Sequence, residues 1–313
     1  MTAMLFIGFI AMILLRVPVA MAIGAAVMMA FATSDFSDSF YIIPQQILDG
    51  VNKPSLAAVP FFIMAGNLMN VVGMTDRIFT FANALVGHFK AGLAQVNVLA
   101  SMIFAGVSGA AVADCAGLGA IEIKAMRERG YKPEFAAAVT VCSAVVGPII
   151  PPSIGLVIYA FLAQQSVERM FLAGVVPGVI IGASLMIFNR ILAIRHDFPT
   201  QPKASRREVL RSGWDGILAL IAPGIILGSI LTGQVTATEA GVLACLYSLF
   251  LGYAYKTLTL QRLMKALTET MTMTTVIMII IGFSIAMGWL LAIEQVPQQL
   301  GEAIFSVTES RTV

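Results

Sequence analysis

Long apolar runs recur along the whole chain and determine its architecture. They form ten segments that we expect to be helical: 2–15, 17–33, 54–73, 93–107, 111–125, 134–163, 170–194, 214–232, 236–255 and 270–293. About 20 apolar residues in a helix span the roughly 30 Å hydrocarbon core of a bilayer. Because backbone groups in lipid must be hydrogen-bonded within the protein, the pattern predicts an all-α integral membrane protein.

The composition supports this interpretation and excludes several classes of function. Hydrophobic residues make up 58% of the chain and charged residues 12%, whereas soluble domains carry about 25% charged residues. The net charge is only +2 and the basic residues are spread over short loops, so no nucleic-acid surface is indicated. The three cysteines lie in apolar segments, which favours neither disulfides nor a metal site. No phosphate loop, metal-ligand cluster or nucleophilic triad is present, so we do not expect an enzyme.

The basic residues predict an orientation in the membrane. With Met1 outside, every lysine and arginine except Lys53, Arg169 and Arg311 falls on the cytoplasmic side, as the positive-inside rule requires. This topology works only if 93–107 and 111–125 together enter and leave by the cytoplasmic face. The two segments are therefore predicted to form a re-entrant helical hairpin whose tip lies deep in the membrane.

A weak internal repeat relates the two halves of the chain. Residues 66–69 and 76–78 align at a constant offset with 288–291 and 298–300, and only the first copy ends among cytoplasmic cations. Inverted repeats are typical of secondary transporters, although chance similarity between apolar helices is the alternative. We expect one transmembrane domain, 1–313, with the following parts: a first repeat at about 1–195, an amphipathic arm at about 196–213 and an incomplete second repeat at about 214–313.

The predicted hairpin tip is rich in glycine and other small residues. It reads Gly-Val-Ser-Gly-Ala-Ala-Val-Ala-Asp from Gly106 to Asp114. A break in a helix frees backbone carbonyls that can bind a cation, and exposes helix N-termini that attract an anion. The alternative is a surface of small residues for close helix packing.

The segment 134–163 carries a proline-rich interruption at its centre. Residues 147–155 read Gly-Pro-Ile-Ile-Pro-Pro-Ser-Ile-Gly. Each proline removes an amide donor and clashes with the carbonyl one turn earlier, so a continuous helix is excluded. We expect two half-helices around an unwound centre, and a simple kink is the weaker alternative.

Asp114 and Glu239 are the acidic residues that the sequence places nearest the interior of apolar segments. Carboxylates in the membrane are candidates for functional sites. Asp114 could assist a cation site, hydrogen-bond the hairpin tip, or cap a helix. Glu239 follows Thr236 at the spacing of a capping box, which favours a structural role.

Taken together, the motifs Ser108-Gly109 with Ala113-Asp114, Gly147 to Ser153, and Thr236 to Ala240 resemble those of the large permease subunit of tripartite ATP-independent periplasmic (TRAP) transporters. The resemblance runs from Met1 to about residue 310. It implies an inverted-repeat, elevator-type transporter of the bacterial inner membrane. It also implies sodium-driven import of a C4-dicarboxylate, sugar acid or keto acid, with a small membrane subunit and a periplasmic solute-binding protein as partners.

The resemblance also implies which residues bind the coupling ion, with no other cofactor. The sodium site would form between the tip and the break, from Ser108, Gly109, Ala110, Gly147, Pro148, Pro151, Pro152 and Ser153, with Asp114 supporting it and the substrate carboxylate nearby. Ala110 stands where the family often has a second serine, so coordination there would need backbone oxygen.

The chain stops before the second hairpin and second proline-rich break of the family. The expectation from the sequence is therefore a truncated chain that would not transport alone. Two other functions stay open: a sodium/proton antiporter that uses Asp114 and, less favoured, a membrane-embedded enzyme.

Overall fold

The computed structural model describes residues 2–33, 41–195, 198 and 200–307, and the regular elements within these ranges are all helices. A short 3-10 helix covers Pro54–Ala57. The α-helices are α1 (Thr2–Leu14), α2 (Val19–Ala32), α3 (Ile42–Val51), α4 (Ala58–Val71), α5 (Met74–Val86), α6 (Gly92–Ser108), α7 (Ala111–Ala116), α8 (Leu118–Glu128), α9 (Pro133–Ala144), α10 (Ile154–Leu162), α11 (Val167–Arg195), α12 (Arg206–Leu231), α13 (Ala237–Ala254), α14 (Leu260–Ile293) and α15 (Val296–Val307).

Each of the ten apolar segments contains helix, but three helices lie outside them. These are α3, α5 and α15. In α5 the buried residues include Met74, Ile78 and Ala82, which are four apart and line one face. A short helix with one apolar face has no long apolar run, so a search for such runs does not find it.

Two long helices begin earlier than the apolar pattern predicts. α12 starts at Arg206 rather than at 214, and α14 at Leu260 rather than at 270. Ser205 and Glu208 form a reciprocal capping box at the start of α12, which stabilises a helix start among charged residues. The second half of the predicted arm 196–213 is therefore continuous with the apolar part of α12. Within the described residues, five helical stretches are long and apolar enough to cross a membrane: Pro54–Val71, Val167–Ile194, Arg206–Leu231, Ala237–Ala254 and Leu260–Ile293.

The first of two compact units comprises Met1–Lys53 and Thr272–Val313. Its core includes Leu5, Val27, Phe31 and Leu290. A Cβ added at Gly24 would lie 2.8 Å from the ring of Phe283, so the absence of a side chain allows that ring to pack against α2. Glycine at such contacts is typical of helices that associate in lipid.

The second unit, Pro54–Met271, contains the hairpin and the proline-rich break. Its largest core cluster includes Met69, Phe104, Leu118 and Leu251, contributed by α4, α6, α8 and α13. At the start of α13, Thr236 and Glu239 form a capping box and Glu239 is exposed. This confirms the structural role that the sequence predicted for Glu239.

Candidate functional site

The predicted hairpin is present as a pair of helices joined by a two-residue turn. α6 ends at Ser108, Gly109 adopts a left-handed conformation (φ +61°) and Ala110 is extended before α7 begins. Gly117 then separates α7 from α8. The left-handed region favours glycine because it lacks a Cβ. Entry and exit of this hairpin on one membrane face stay a prediction.

The proline-rich segment interrupts its helix as expected. α9 ends at Ala144 and α10 begins at Ile154, with Pro151 and Pro152 joined by a cis peptide bond between them. The Ser153 hydroxyl caps α10 by accepting a hydrogen bond from Leu156 N at 3.2 Å, and it donates to the Pro148 carbonyl at 2.6 Å. Two half-helices around an unwound centre are therefore confirmed.

The hairpin tip packs directly on the proline-rich break. The Ile154 amide donates to the Gly109 carbonyl over 3.3 Å. A Cβ added at Gly109 would lie only 2.6 Å from the Pro152 carbonyl oxygen and 3.2 Å from Ser153 Cα. Two departures from helical geometry, which the sequence separates by more than 35 residues, thus meet at one place.

Asp114 lies between the tip and the break. Its side chain is 2% exposed, and its Oδ1 accepts a hydrogen bond from the Ser108 hydroxyl. Its Oδ2 is buried and has no hydrogen-bond partner among the described residues, and a Cβ added at Gly147 would collide with it. Asp114 therefore hydrogen-bonds the hairpin tip, which was one of the three roles that the sequence left open for it. The helix cap of α7 is Ala110, without a side-chain cap, and on the outer face of α7 Val112 is 70% exposed.

The structure thus brings the predicted site residues together, with different local roles. Ser108 and Gly147 face Asp114, whereas Gly109 contacts Pro152 and Ser153. Four of the predicted ligands already accept hydrogen bonds through their carbonyl groups: Gly109 from Ile154 N at 3.3 Å, Ala110 from Asp114 N at 3.1 Å, Pro148 from the Ser153 hydroxyl at 2.6 Å, and Ser153 from Val157 N at 3.1 Å. The oxygen atoms at this junction belong to carbonyl, hydroxyl and carboxylate groups, which are the ligands of a hard cation such as sodium.

Gly66 and Pro223 contact the tip and were not predicted as part of the site. A Cβ added at Gly66 in α4 would lie 3.1 Å from Ser108 Cα, and one added at Gly106 would lie 2.7 Å from Pro223 Cβ in α12. The tip is therefore enclosed by α4 and α12 as well as by the break. Gly66 also belongs to the weak internal repeat, where it indicated only a relation between the two halves of the chain.

A buried polar network joins the first hairpin arm to the first half-helix. Asn97 in α6 donates to Thr140 Oγ1 at 2.7 Å, and its Oδ1 accepts from the Ser143 hydroxyl. Ser101 donates to Ser143 at 3.1 Å. The four side chains are at most 2% exposed. Their spacing, Asn97 to Ser101 and Thr140 to Ser143, places polar groups on one face of each helix, so this pattern in the sequence indicates a polar contact between the two helices.

Replacing Asn97 by alanine should destabilise this part of the protein. The change leaves Thr140 Oγ1 buried without its amide donor, at a cost of roughly 1–3 kcal/mol for one unsatisfied group. Ser143 keeps its hydrogen bonds with the Thr140 carbonyl and with Ser101. We expect a clear fall in the thermal midpoint measured in detergent. Asn52→Ala, at an exposed asparagine, should leave the midpoint unchanged, and equal midpoints for the two variants would contradict a stabilising network.

Glu122 corrects the sequence-based choice of interior carboxylates. The sequence suggested Asp114 and Glu239, but Glu122 is 1% exposed while Glu239 is exposed. Leu118, Glu122 and Met126 are four residues apart and form the buried face of α8. The neighbouring Lys124 makes the segment look solvated, although it lies on the opposite face in an exposed ion pair with Glu128. Glu122 Oε1 has no hydrogen-bond partner among the described residues.

The sequence matches one family of known proteins. The family model described as tripartite ATP-independent periplasmic transporter, DctM component, matches residues 6–313. The large permease protein of a sialic acid TRAP transporter from Vibrio cholerae is 41% identical over 288 residues, which is 92% of this chain and 67% of that protein.

Two further relatives differ in the substrate for which they are named. The 2,3-diketo-L-gulonate TRAP transporter large permease protein of Escherichia coli K12 is 35% identical over 99% of this chain and 73% of its own length. The C4-dicarboxylate TRAP transporter large permease protein of Pseudomonas aeruginosa is 37% identical over 84% of this chain and 62% of its own length. The chain thus spans about two thirds of the length of these relatives.

Proposed function

The chain belongs to the DctM component family of tripartite ATP-independent periplasmic transporters, and on that premise we propose that it is a membrane subunit of a sodium-coupled, binding-protein-dependent importer of small organic acids. The contact between the hairpin tip and the proline-rich break carries the proposal. Membership of this family makes the chain a multi-pass protein of the inner membrane, and the family consists of transport proteins rather than enzymes.

Sodium suits the chemistry at the junction of tip and break. Gly109 and the residues around Pro152 present backbone oxygen where neither helix continues. Asp114 adds a buried carboxylate oxygen with no hydrogen-bond partner among the described residues. A buried carboxylate without a counter-charge is unstable. A monovalent cation bound beside Asp114 would provide that charge, with Ser108 holding the carboxylate in place.

The proposed substrate is a small acid that carries a carboxylate group. The relatives in Vibrio cholerae, Escherichia coli and Pseudomonas aeruginosa are named for sialic acid, a diketogulonate and C4-dicarboxylates, all of which share that group. A sodium ion at the junction would attract the substrate carboxylate towards α10. A solute-binding protein and a small membrane subunit are the partners that this function requires.

Reconstituted uptake tests the proposal. The chain, within its complete transporter and with the small membrane subunit, is placed in proteoliposomes, and labelled organic acids are added with the binding protein under sodium or potassium gradients. We expect uptake only with inward sodium and with the binding protein present. Pro151→Ala, which removes a ring from the unwound centre, should abolish this uptake while membrane insertion is retained.

The same assay distinguishes the antiporter alternative. An exchanger that uses Asp114 would move sodium against protons without a binding protein, so a pH gradient alone would drive sodium flux. Uptake that ignores sodium or the binding protein would contradict the importer, and proton-driven sodium flux would establish the antiporter in its place.

A further inference from the structure

A cavity away from the hairpin lies between α5 and the beginning of α12. It has a volume of about 690 Å³ and is lined by residues of α5, of the segment before α12 and of the first turns of α12. Pockets of roughly 300–1,000 Å³ are typical of sites that bind small molecules. None of its lining residues belongs to the tip or the break, so the proposed transport site does not account for it.

Three cationic side chains line the cavity: Arg77, Lys203 and Arg211. Arg77 is held in place because it donates to the Asp215 carbonyl at 2.7 Å and its guanidinium lies 3.9 Å above the Tyr255 ring. Neither contact neutralises its charge. Among the described residues the ion pairs within 4.0 Å are Lys124 with Glu128 and Lys265 with Glu269, so the cations of the cavity are not paired with carboxylates.

Three carboxylates also line the cavity, and two of them have other roles. Glu208 accepts a hydrogen bond from Ser205 N at 2.7 Å in the capping box of α12. Asp76 lies in the first turn of α5, where the helix dipole stabilises a negative charge. Asp215 contributes its backbone carbonyl to Arg77. Among the described residues none of these carboxylates lies within 4.0 Å of a cation of the cavity, so the cations are not neutralised by contact ion pairs, although the formal charges of the lining balance.

An apolar surface adjoins the basic side chains. Leu210 is 73% exposed and Trp214 is 78% exposed, and they are four residues apart on α12. They line a second recess together with Arg207 and Arg211. Exposed tryptophan is typical of the boundary between lipid chains and water, and basic residues beside it attract anionic lipids. A soluble phosphate compound has no acyl chain to contact this apolar surface, so the combination favours a lipid.

We propose that the beginning of α12 binds an anionic phospholipid, with the phosphate in the cavity at Arg77, Lys203 and Arg211 and an acyl chain along Leu210 and Trp214. The site is independent of the proposed transport function. It would attach the first turns of α12 to the membrane surface at the point where the helix enters the apolar region.

Fluorescence quenching of Trp214 tests the proposal in the intact chain. Trp289→Phe leaves Trp214 as the single tryptophan. The protein is reconstituted in phosphatidylcholine vesicles that contain phosphatidylglycerol, with bromine on the chains of one lipid at a time. We expect brominated phosphatidylglycerol to reach half-maximal quenching at a several-fold lower lipid fraction than brominated phosphatidylcholine does. Each basic residue near an anionic lipid surface strengthens binding to that surface about five-fold.

Charge-removing variants provide the control. Lys203→Gln combined with Arg211→Gln should make the two lipids nearly equal as quenchers. Lys124→Gln combined with Lys265→Gln removes the same charge outside the cavity and should retain the preference. Equal quenching by both lipids in the parent protein, or equal effects of the two double variants, would overturn the proposal. The preference should persist in millimolar inorganic phosphate at constant ionic strength, because the acyl chain contributes to binding of the lipid and free phosphate lacks it.

Discussion

Gly109→Ala should abolish sodium-dependent uptake in the reconstituted transporter. Gly109 has φ +61°, and a side chain in the left-handed region costs roughly 1–2 kcal/mol. The added Cβ would also lie 2.6 Å from the Pro152 carbonyl oxygen. Because this neighbour is backbone, the tip must move away from the break and the oxygen atoms between them would separate. The measurement is initial uptake at saturating sodium, with membrane insertion checked by protease protection.

A second glycine separates conformational strain from the contact with the break. Gly233 has a similar φ of +69°, but a Cβ added there meets nothing within 4 Å. Gly233→Ala should therefore carry about the same conformational cost as Gly109→Ala. We expect it to lower the thermal midpoint while uptake continues. Loss of uptake in both variants would indicate that general instability causes the effect. Normal uptake by Gly109→Ala would contradict the assignment of the tip to the sodium site.

Asp114→Asn should raise the sodium concentration needed for half-maximal uptake by roughly a hundredfold, equivalent to about 3 kcal/mol for the loss of one partner of a buried charge pair. Asparagine has nearly the shape of aspartate and can still accept from Ser108 through its amide oxygen, so the contact seen in the structure is retained. The expected effect therefore reports the charge. Sodium titrations of initial uptake provide the measurement.

Glu122→Gln is the matched control for this change. Glu122 is also a buried carboxylate with an oxygen that has no hydrogen-bond partner among the described residues, but it is the Asp114 carboxylate that contacts Ser108 and faces Gly147. We expect a small shift in sodium dependence for Glu122→Gln. An unchanged sodium requirement in Asp114→Asn would limit Asp114 to a structural role, and equal shifts in both variants would indicate a diffuse electrostatic effect.

The strongest signals in the sequence were those that forbid a regular helix. Three prolines between Gly147 and Gly155 leave no continuous helix to form, so the break could be located without the structure. The tip at Ser108 and Gly109 was found for a similar reason. Sequence reasoning located the two interruptions but could not show that Ile154 N donates to Gly109 O, because a contact between distant segments depends on how the helices pack.

The features that the sequence did not predict depend on which face of a helix is buried. Glu122 and Asn97 lie in segments that were recognised as helical, yet their burial follows from the neighbours that cover them. Amphipathic helices such as α5 were missed because they lack a long apolar run. The early start of α12 was missed because its first turns are charged and are stabilised by a local capping box.

The shortness of α7 has a practical consequence. One of its faces carries Asp114, buried against Ser108, and the other carries Val112, which is 70% exposed. Val112 and Asp114 are two residues apart on this six-residue helix and lie on opposite faces, so a rotation of α7 that withdrew the carboxylate from Ser108 would also change the surroundings of Val112. A fluorescent label attached at Val112 would therefore act as an outside indicator of the carboxylate's orientation, readable while sodium is added and removed.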